Sequence, residues 1–266
     1  MSYFRAVRAE ITKITSTRMW WILALIMVVY VAAVAGGGGA LISTVASQAP
    51  LGDISLPRLV YSFASSIGYV FPVLFGALAV TAEFRHKTLT PAFLVTPKRS
   101  TVLWAKLSVL FVSGALFGLL ALVGAVGAGA LALSFGDTGT GLDQPETWAM
   151  FARILLSMAL WAAIGAGLGV LVPSQVAAIV IVLAFTQFIE PILRFATSFT
   201  EWTGAIGRFL PGAASDALVG TSFFTLTQGM TGVDPLPWWG GALVLLAIAA
   251  VATVIGWFTS WGRDVD

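Results

Sequence analysis

The chain has no cysteine, a single histidine and very little charge, with only 10% of its 266 residues being Asp, Glu, Lys or Arg. The missing cysteines exclude disulfides, thiolate metal sites and a cysteine nucleophile. One histidine, His86, excludes a multi-histidine metal centre. The charge deficit excludes an ordinary soluble domain, in which about a quarter of residues are charged. No Gly-Lys pair occurs, so the phosphate loop of nucleotide hydrolases is missing. His-Glu-x-x-His and Gly-x-Ser-x-Gly are missing too, and no catalytic or metal-binding residues are assigned. A net charge of +2 leaves no footprint for nucleic acid. What is abundant is apolar surface, at 58% of residues. The expectation is an all-α integral membrane protein with one domain over 1–266.

Six segments reach the roughly 20 apolar residues that a spanning helix needs. They are 19–42, 59–82, 102–133, 148–171, 175–193 and 238–261, with Gly36 to Gly39 weakening the far end of the first. The first is too long for a cleaved signal and is expected to be retained. Six spans put both termini on one side, and the basic residues say which. Arg5, Arg8, Lys13, Arg18, Arg85, Lys87, Lys98, Arg99, Lys106 and Arg263 fall on the terminal side, against Arg58, Arg153, Arg194 and Arg208 on the other. That bias makes the terminal side cytoplasmic, in a multi-pass plasma-membrane protein, and the acids of the outer loops, Asp53, Asp137, Asp143, Glu146, Glu201, Asp216 and Asp234, are consistent with it. Tryptophans 20, 21, 104, 257 and 261 mark the inner boundary, 148, 202, 238 and 239 mark the outer one, and Trp161 stands alone in mid-span.

Two further segments are amphipathic. In 1–18, Phe4, Val7, Ile11 and Ile14 share a helical face, while Arg5, Arg8 and Lys13 are polar. An interfacial helix on the inner leaflet is preferred to a plain extension of the first span, because charges interrupt the segment. In 196–237, Phe199, Trp202, Ile206 and Phe209 repeat that spacing, and Pro211, Gly212, Pro235 and Pro237 interrupt it. Short re-entrant or interfacial helices before the sixth span are expected there. Small residues four apart, Gly114 with Gly118 and Gly165 with Gly169, read as close helix packing. Phe71, Phe75, Phe111 and Phe117 form an apolar wall facing either lipid or a hydrophobic cargo.

The densest polar stretch is the hinge between the second and third spans. Glu83-Phe84-Arg85-His86-Lys87-Thr88 runs on to Pro97-Lys98-Arg99. Thr90 and Pro91 suit the start of a short helix and Pro97 its end, with Phe93 on its apolar face. The basic residues alone would serve to keep this loop inside, but that does not account for the capped helix or for Glu83. His86 is expected on its surface rather than as a ligand.

These hinge residues, with Leu94 and with Lys106 at the start of the third span, resemble the signature of type-2 ABC transporter permeases. The family's pattern is Glu-x-Arg-x-x-Thr, then Leu-x-x-Pro-x-Arg, then Lys. Lys87 departs from it, since many members carry glycine there. The resemblance implies six spans, an N-terminal surface helix, re-entrant helices before the sixth span and a cytoplasmic coupling element over 83–100. It further implies a homodimer, or a pair with a related permease, bound to two separate ATPase subunits that carry the ATP and Mg. The cargo would be exported and is expected to be hydrophobic or amphipathic. The spans themselves are nearly free of charge, and the lack of buried carboxylates read from this argues against a proton-driven pump. Glu190 and Arg194 lie four apart near the outer end of the fifth span, as an outer gate or as a local salt bridge. Other readings are a membrane enzyme on lipid or peptide, with that pair as its site, and a passive immunity or scaffold protein.

Overall fold

The computed structural model describes residues 3–46, 55–89, 93, 98–135, 139–197, 201–222 and 234–262. These are helical, with no strand among the described residues. Helix α1 covers Tyr3–Ser16 and α2 covers Met19–Ala46. Helices α3 (Leu56–Ser66) and α4 (Val70–Arg85) make one broken span. Next come α5 (Arg99–Ser134), α6 (Pro145–Leu171) and α7 (Gln175–Thr197). Two short helices, α8 (Glu201–Gly207) and α9 (Pro211–Val219), precede α10 (Trp238–Trp261). Six of these segments are long and apolar enough to cross a membrane. At 1.5 Å per residue the 36 residues of α5 extend about 54 Å, well beyond a hydrocarbon core of ~30 Å.

Two boundaries depart from the sequence expectation for identifiable reasons. Helix α2 runs through Gly36–Gly39 without a break. Side chains at Gly36 and Gly39 would press on Ala128 and Ala132 of α5, so these glycines admit a neighbouring helix rather than end their own. The second span is interrupted at 67–69. Pro72 has no N–H to give the Gly68 carbonyl, which accepts from Phe71 N instead, at 3.1 Å. Helix α7 is likewise irregular, with a π-helical turn over Phe185–Ile189 just before Pro191.

Helix α6 is the centre of the bundle. Seventy-two per cent of its apolar window is buried, against 22% for α2, α7 and α10, which leave most of their surface to lipid. The expected small-residue pairs build its contacts. Gly165 and Gly169 meet Val73, Ala77 and Val80 of α4, and Gly114 and Gly118 of α5 meet Met158, Ala159 and Ala162 of α6. Lipid supplies no hydrophobic drive between helices, so such backbone approach is where the packing energy resides. Trp161, Leu218 and Leu245 join α6, α9 and α10 in a second, smaller apolar core.

Overpacking a tight core costs roughly 1–3 kcal/mol or more. Gly165→Val, whose side chain would run into the Val73 carbonyl, is expected to lower the melting temperature in detergent sharply. Gly127→Ala, with nothing within 4 Å of the added carbon, is expected to leave it unchanged. Equal melting temperatures for the two variants would contradict the close α4–α6 packing.

Candidate functional site

Two polar centres stand out, one at each end of the bundle. The first is the hinge. Glu83 does not point to solvent with its basic neighbours; it is 6% exposed and faces the protein interior. Lys13 of α1 donates to Glu83 Oε1 at 2.7 Å and to Glu10 Oε1 at 2.7 Å. Lys106, 3% exposed in α5, reaches Glu83 Oε1 at 3.0 Å and also pairs with Glu10 Oε2. Two ammonium groups thus balance two carboxylates, and three helices are tied together. Burial alone raises the Glu10 carboxyl, but Lys106 and Lys13 outweigh it, and Glu10 titrates below its ordinary 4.5. Burial works against the Lys13 ammonium, but Glu83 and Glu10 outweigh it and carry Lys13 above its ordinary 10.5. A cavity of about 330 Å³ adjoins the cluster and is lined by His86 and Thr88 as well.

The chain leaves α4 through a left-handed turn. Thr88 N donates to Glu83 O at 3.0 Å and Lys87 N to Phe84 O at 3.3 Å, a Schellman arrangement with Lys87 at φ 51°. Glycine is the residue that takes this conformation freely. The position where Lys87 departs from the resembled pattern is therefore one whose backbone suits the pattern's glycine. Arg85, His86, Lys87 and Thr88 are exposed, and Arg85 Nη1 donates to Gln175 Oε1 at the start of α7, at 3.0 Å.

A second anchor of the hinge is Trp261. The sequence places it in the inner aromatic belt, but it is fully buried. Its ring meets Phe84 and Phe93 edge-on at 5.9 and 5.8 Å. Its Nε1 donates to Arg99 O at 3.4 Å, and Arg99 Nη1 donates to Gly262 O at 2.8 Å. Arg99 also stacks on Phe93 at 5.1 Å. Leu89 and Phe93 have helical backbone, and Lys98 precedes α5 as an exposed residue. Pro97 and most of the expected helix over 91–96 lie outside the described residues.

The second centre joins α7 to α9. Glu190 and Arg194 do share a face and pair, Nε to Oε1 at 3.4 Å. Arg194 also reaches Asp216 Oδ2 in α9 at 2.7 Å, and Gly212 N at the start of α9 donates to Glu190 Oε1. The sequence puts Asp216 in an acidic outer loop; instead it is 7% exposed in a short helix that is buried from Gly212 to Val219. The inference that this protein lacks buried carboxylates is therefore corrected, since Pro211 and the Gly220 cap (φ 92°) fold a loop-like segment into a helix that carries Asp216 inward. A cavity of about 30 Å³ beside the trio is lined by Ser66, Tyr69, Thr186 and Ser215. Ser215 accepts from Trp161 Nε1 at 3.1 Å, which explains an indole in mid-span.

Of the phenylalanine wall, Phe75 and Phe117 stack on each other at 5.1 Å, Phe71 lies beside Tyr30, and Phe111 joins the smaller core. No protein-family model matches this chain, and no curated protein matches it in sequence.

Removing one partner of a buried ion pair strands the other, at about 3–5 kcal/mol. Lys106→Met is expected to destabilise the protein by that order in detergent melts, with much of the loss recovered in Lys106→Met/Glu83→Gln. In the wild type, the stability owed to Glu10 is present above pH 4.5 and is lost as the pH falls through its lowered value. No rescue by the double substitution would remove Lys106–Glu83 as a pair. Lys87→Gly relieves a left-handed lysine and is expected to raise stability by about 1 kcal/mol or less, whereas Lys87→Val lowers it. A destabilised Lys87→Gly variant would contradict the turn.

Proposed function

We propose that this chain is the membrane-spanning permease subunit of an ATP-driven exporter of the type-2 ABC class. It lies in the plasma membrane with both termini and the hinge in the cytoplasm. Two copies, or this chain and a related permease, form the pathway, and two separate ATPase subunits bind ATP and Mg and press on residues 83–100.

The observation that carries this reading is the convergence on the hinge. Helix α4 delivers Glu83 to α1 and α5, Arg85 to α7, and Phe84 to the end of α10. A force applied there reaches four other helices through buried or hydrogen-bonded contacts, which is what a lever driven from outside the membrane requires. The exposed stretch Arg85–Thr88 gives an acidic or polar partner surface something to grip.

The flanking helices fit the same arrangement. On α1, Phe4 is 80% exposed while Ala6 and Glu10 face the protein, so the apolar face is turned outward, as an interfacial helix on the inner leaflet requires. Trp202, Ile206 and Phe209 are exposed around α8 and serve the outer leaflet in the same way, with α9 as the re-entrant piece. That same face of α1, with Phe4, Val7, Ile11 and Ile14, walls an open apolar groove of about 610 Å³ against α5, Phe75 and Phe117, which suits a lipid chain or a hydrophobic or amphipathic cargo entering from the leaflet. A membrane enzyme centred on Glu190 and Arg194 is less well supported. Asp216 supplies the second acid such an enzyme needs, but a cavity of about 30 Å³ holds one water-sized occupant and no lipid or peptide.

The test is co-purification and coupling. In a complex assembled with a candidate ATPase subunit, Arg85→Glu and Lys98→Glu are expected to weaken assembly about tenfold, equivalent to ~1.4 kcal/mol, and to abolish substrate-stimulated ATP hydrolysis. Unchanged coupling in both variants, or labelling of residues 85–88 from outside the cell, would overturn the assignment.

A further inference from the structure

The two polar centres differ in charge parity. At the hinge two carboxylates meet two ammonium groups. At the α7–α9 centre two carboxylates, Glu190 and Asp216, meet one guanidinium, and all three side chains are at least nine-tenths buried. The start of α9 adds the Gly212 N–H and a helix-end charge of at most about half a unit, so one negative charge is left without a full counterpart. No other cation reaches the trio among the described contacts: Arg153 of α6 lies over the Trp238 ring at 5.3 Å. From α6 come only Ser157 and Trp161, both bonded to Ser215. Tyr69, between α3 and α4, donates to Thr186 O at 3.3 Å.

The bonding of Glu190 is lopsided. Its Oε1 accepts from Gly212 N and Arg194 Nε, while its Oε2 is buried with no hydrogen-bond partner. Ser66 Oγ is buried without a partner as well, and Glu190 and Ser66 line the same cavity of about 30 Å³. A proton on Oε2 would find an acceptor in the water-sized space that Ser66 also lines, and it would cancel the charge that Arg194 leaves unmatched.

We propose that the Glu190–Arg194–Asp216 centre binds one exchangeable proton, carried on Glu190 Oε2. With the proton in place Arg194 and Asp216 form a neutral pair, Oε2–H donates into the cavity, and α7 and α9 are held together. When the proton leaves, the centre carries a net negative charge and the α7–α9 contact weakens. The proton site is independent of the exporter reading and holds whether or not an ATPase drives the chain.

Infrared spectroscopy of the purified full-length protein in lipid tests this directly. At neutral pH, the wild type minus Glu190→Gln difference spectrum is expected to show the carbonyl stretch of a neutral carboxylic acid, converting to carboxylate as the pH is raised. Asp216→Asn removes the surplus charge, so its Glu190 ionises and the band is expected to vanish there too. Melting temperature, measured on the same samples, falls with rising pH in the wild type and loses that dependence in Glu190→Gln. A spectrum lacking the band at neutral pH overturns the proposal, as does a band that survives in Asp216→Asn. A band present in choline and lost in sodium would make this an alkali-cation site and would also overturn it.

Discussion

Lys106 is the residue on which the inner half of the structure turns. An ammonium group only 3% exposed on α5 is largely cut off from water, so the protein must supply carboxylates at hydrogen-bond distance. It supplies two, one from the N-terminal helix and one from the end of the second span. That requirement fixes where α1 lies, because Glu10 must face inward at the place along α1 where Lys106 waits. It also fixes the exit direction of α4, because Glu83 is already committed when the chain turns at Lys87. The exposed basic residues that follow are therefore held by a rigid base, and their orientation is set by a buried neighbour rather than by their own surface contacts.

The glycines of α4, α5 and α6 have the complementary role. They let three backbones approach around α6, and glycines also bring α2 against α5 (Gly36, Gly39 and Gly124) and α10 against α6 (Gly167 and Gly256), while the outward faces of α2, α7 and α10 stay at the surface. A bundle built this way is closely packed at its centre, and polar contacts add fixed points near its two ends. Arg85 holds the start of α7, Trp261 holds the end of α10, and the Arg194 trio holds α7 to α9 roughly 22 Å further along, at the opposite end. Movement of α7 or α10 must then break these polar anchors as well as apolar packing.

Much of this was legible in the sequence, and what was not has a common cause. Apolar runs fix the spans to within a few residues, because length and hydropathy are local properties; so is the i, i+4 relation that pairs Glu190 with Arg194. Asp216 was misread because its short helix is bounded by Pro211 and Gly220, the signals of a loop, and its burial is decided by contacts with α6 and α10. The Glu10–Lys106 and Phe84–Trp261 contacts join residues far apart in the chain, and no spacing rule connects them. Trp261 carried an ambiguous signal: indoles at span ends usually sit in the headgroup region, and only the proximity of two phenylalanines and the Arg99 carbonyl shows that this one points inward. The break at 67–69 was in principle readable from Pro72, whose missing N–H forfeits one helical hydrogen bond.

The contrast between the two centres bears on how such a protein moves. A balanced cluster of two acids and two bases carries no surplus charge, and its costliest member to lose is the buried Lys106 rather than the half-exposed Lys13. An odd-numbered cluster has two energetic states at fixed geometry, differing by one charge, and its grip on the neighbouring helix changes with that charge. In the proposed exporter the hinge end would transmit force, and with the proposed proton the α7–α9 end would hold or release a helix in response to local charge. Because α4 contacts both α7 and the hinge, while Tyr69 at the break above α4 touches the π-helical turn of α7, displacement at one end has a continuous path of packed elements to the other. The irregular turns at 67–69 and 185–189 lie on that path, and they are the places in these two spans where backbone hydrogen bonding already departs from the α-helical pattern and a change of geometry costs least.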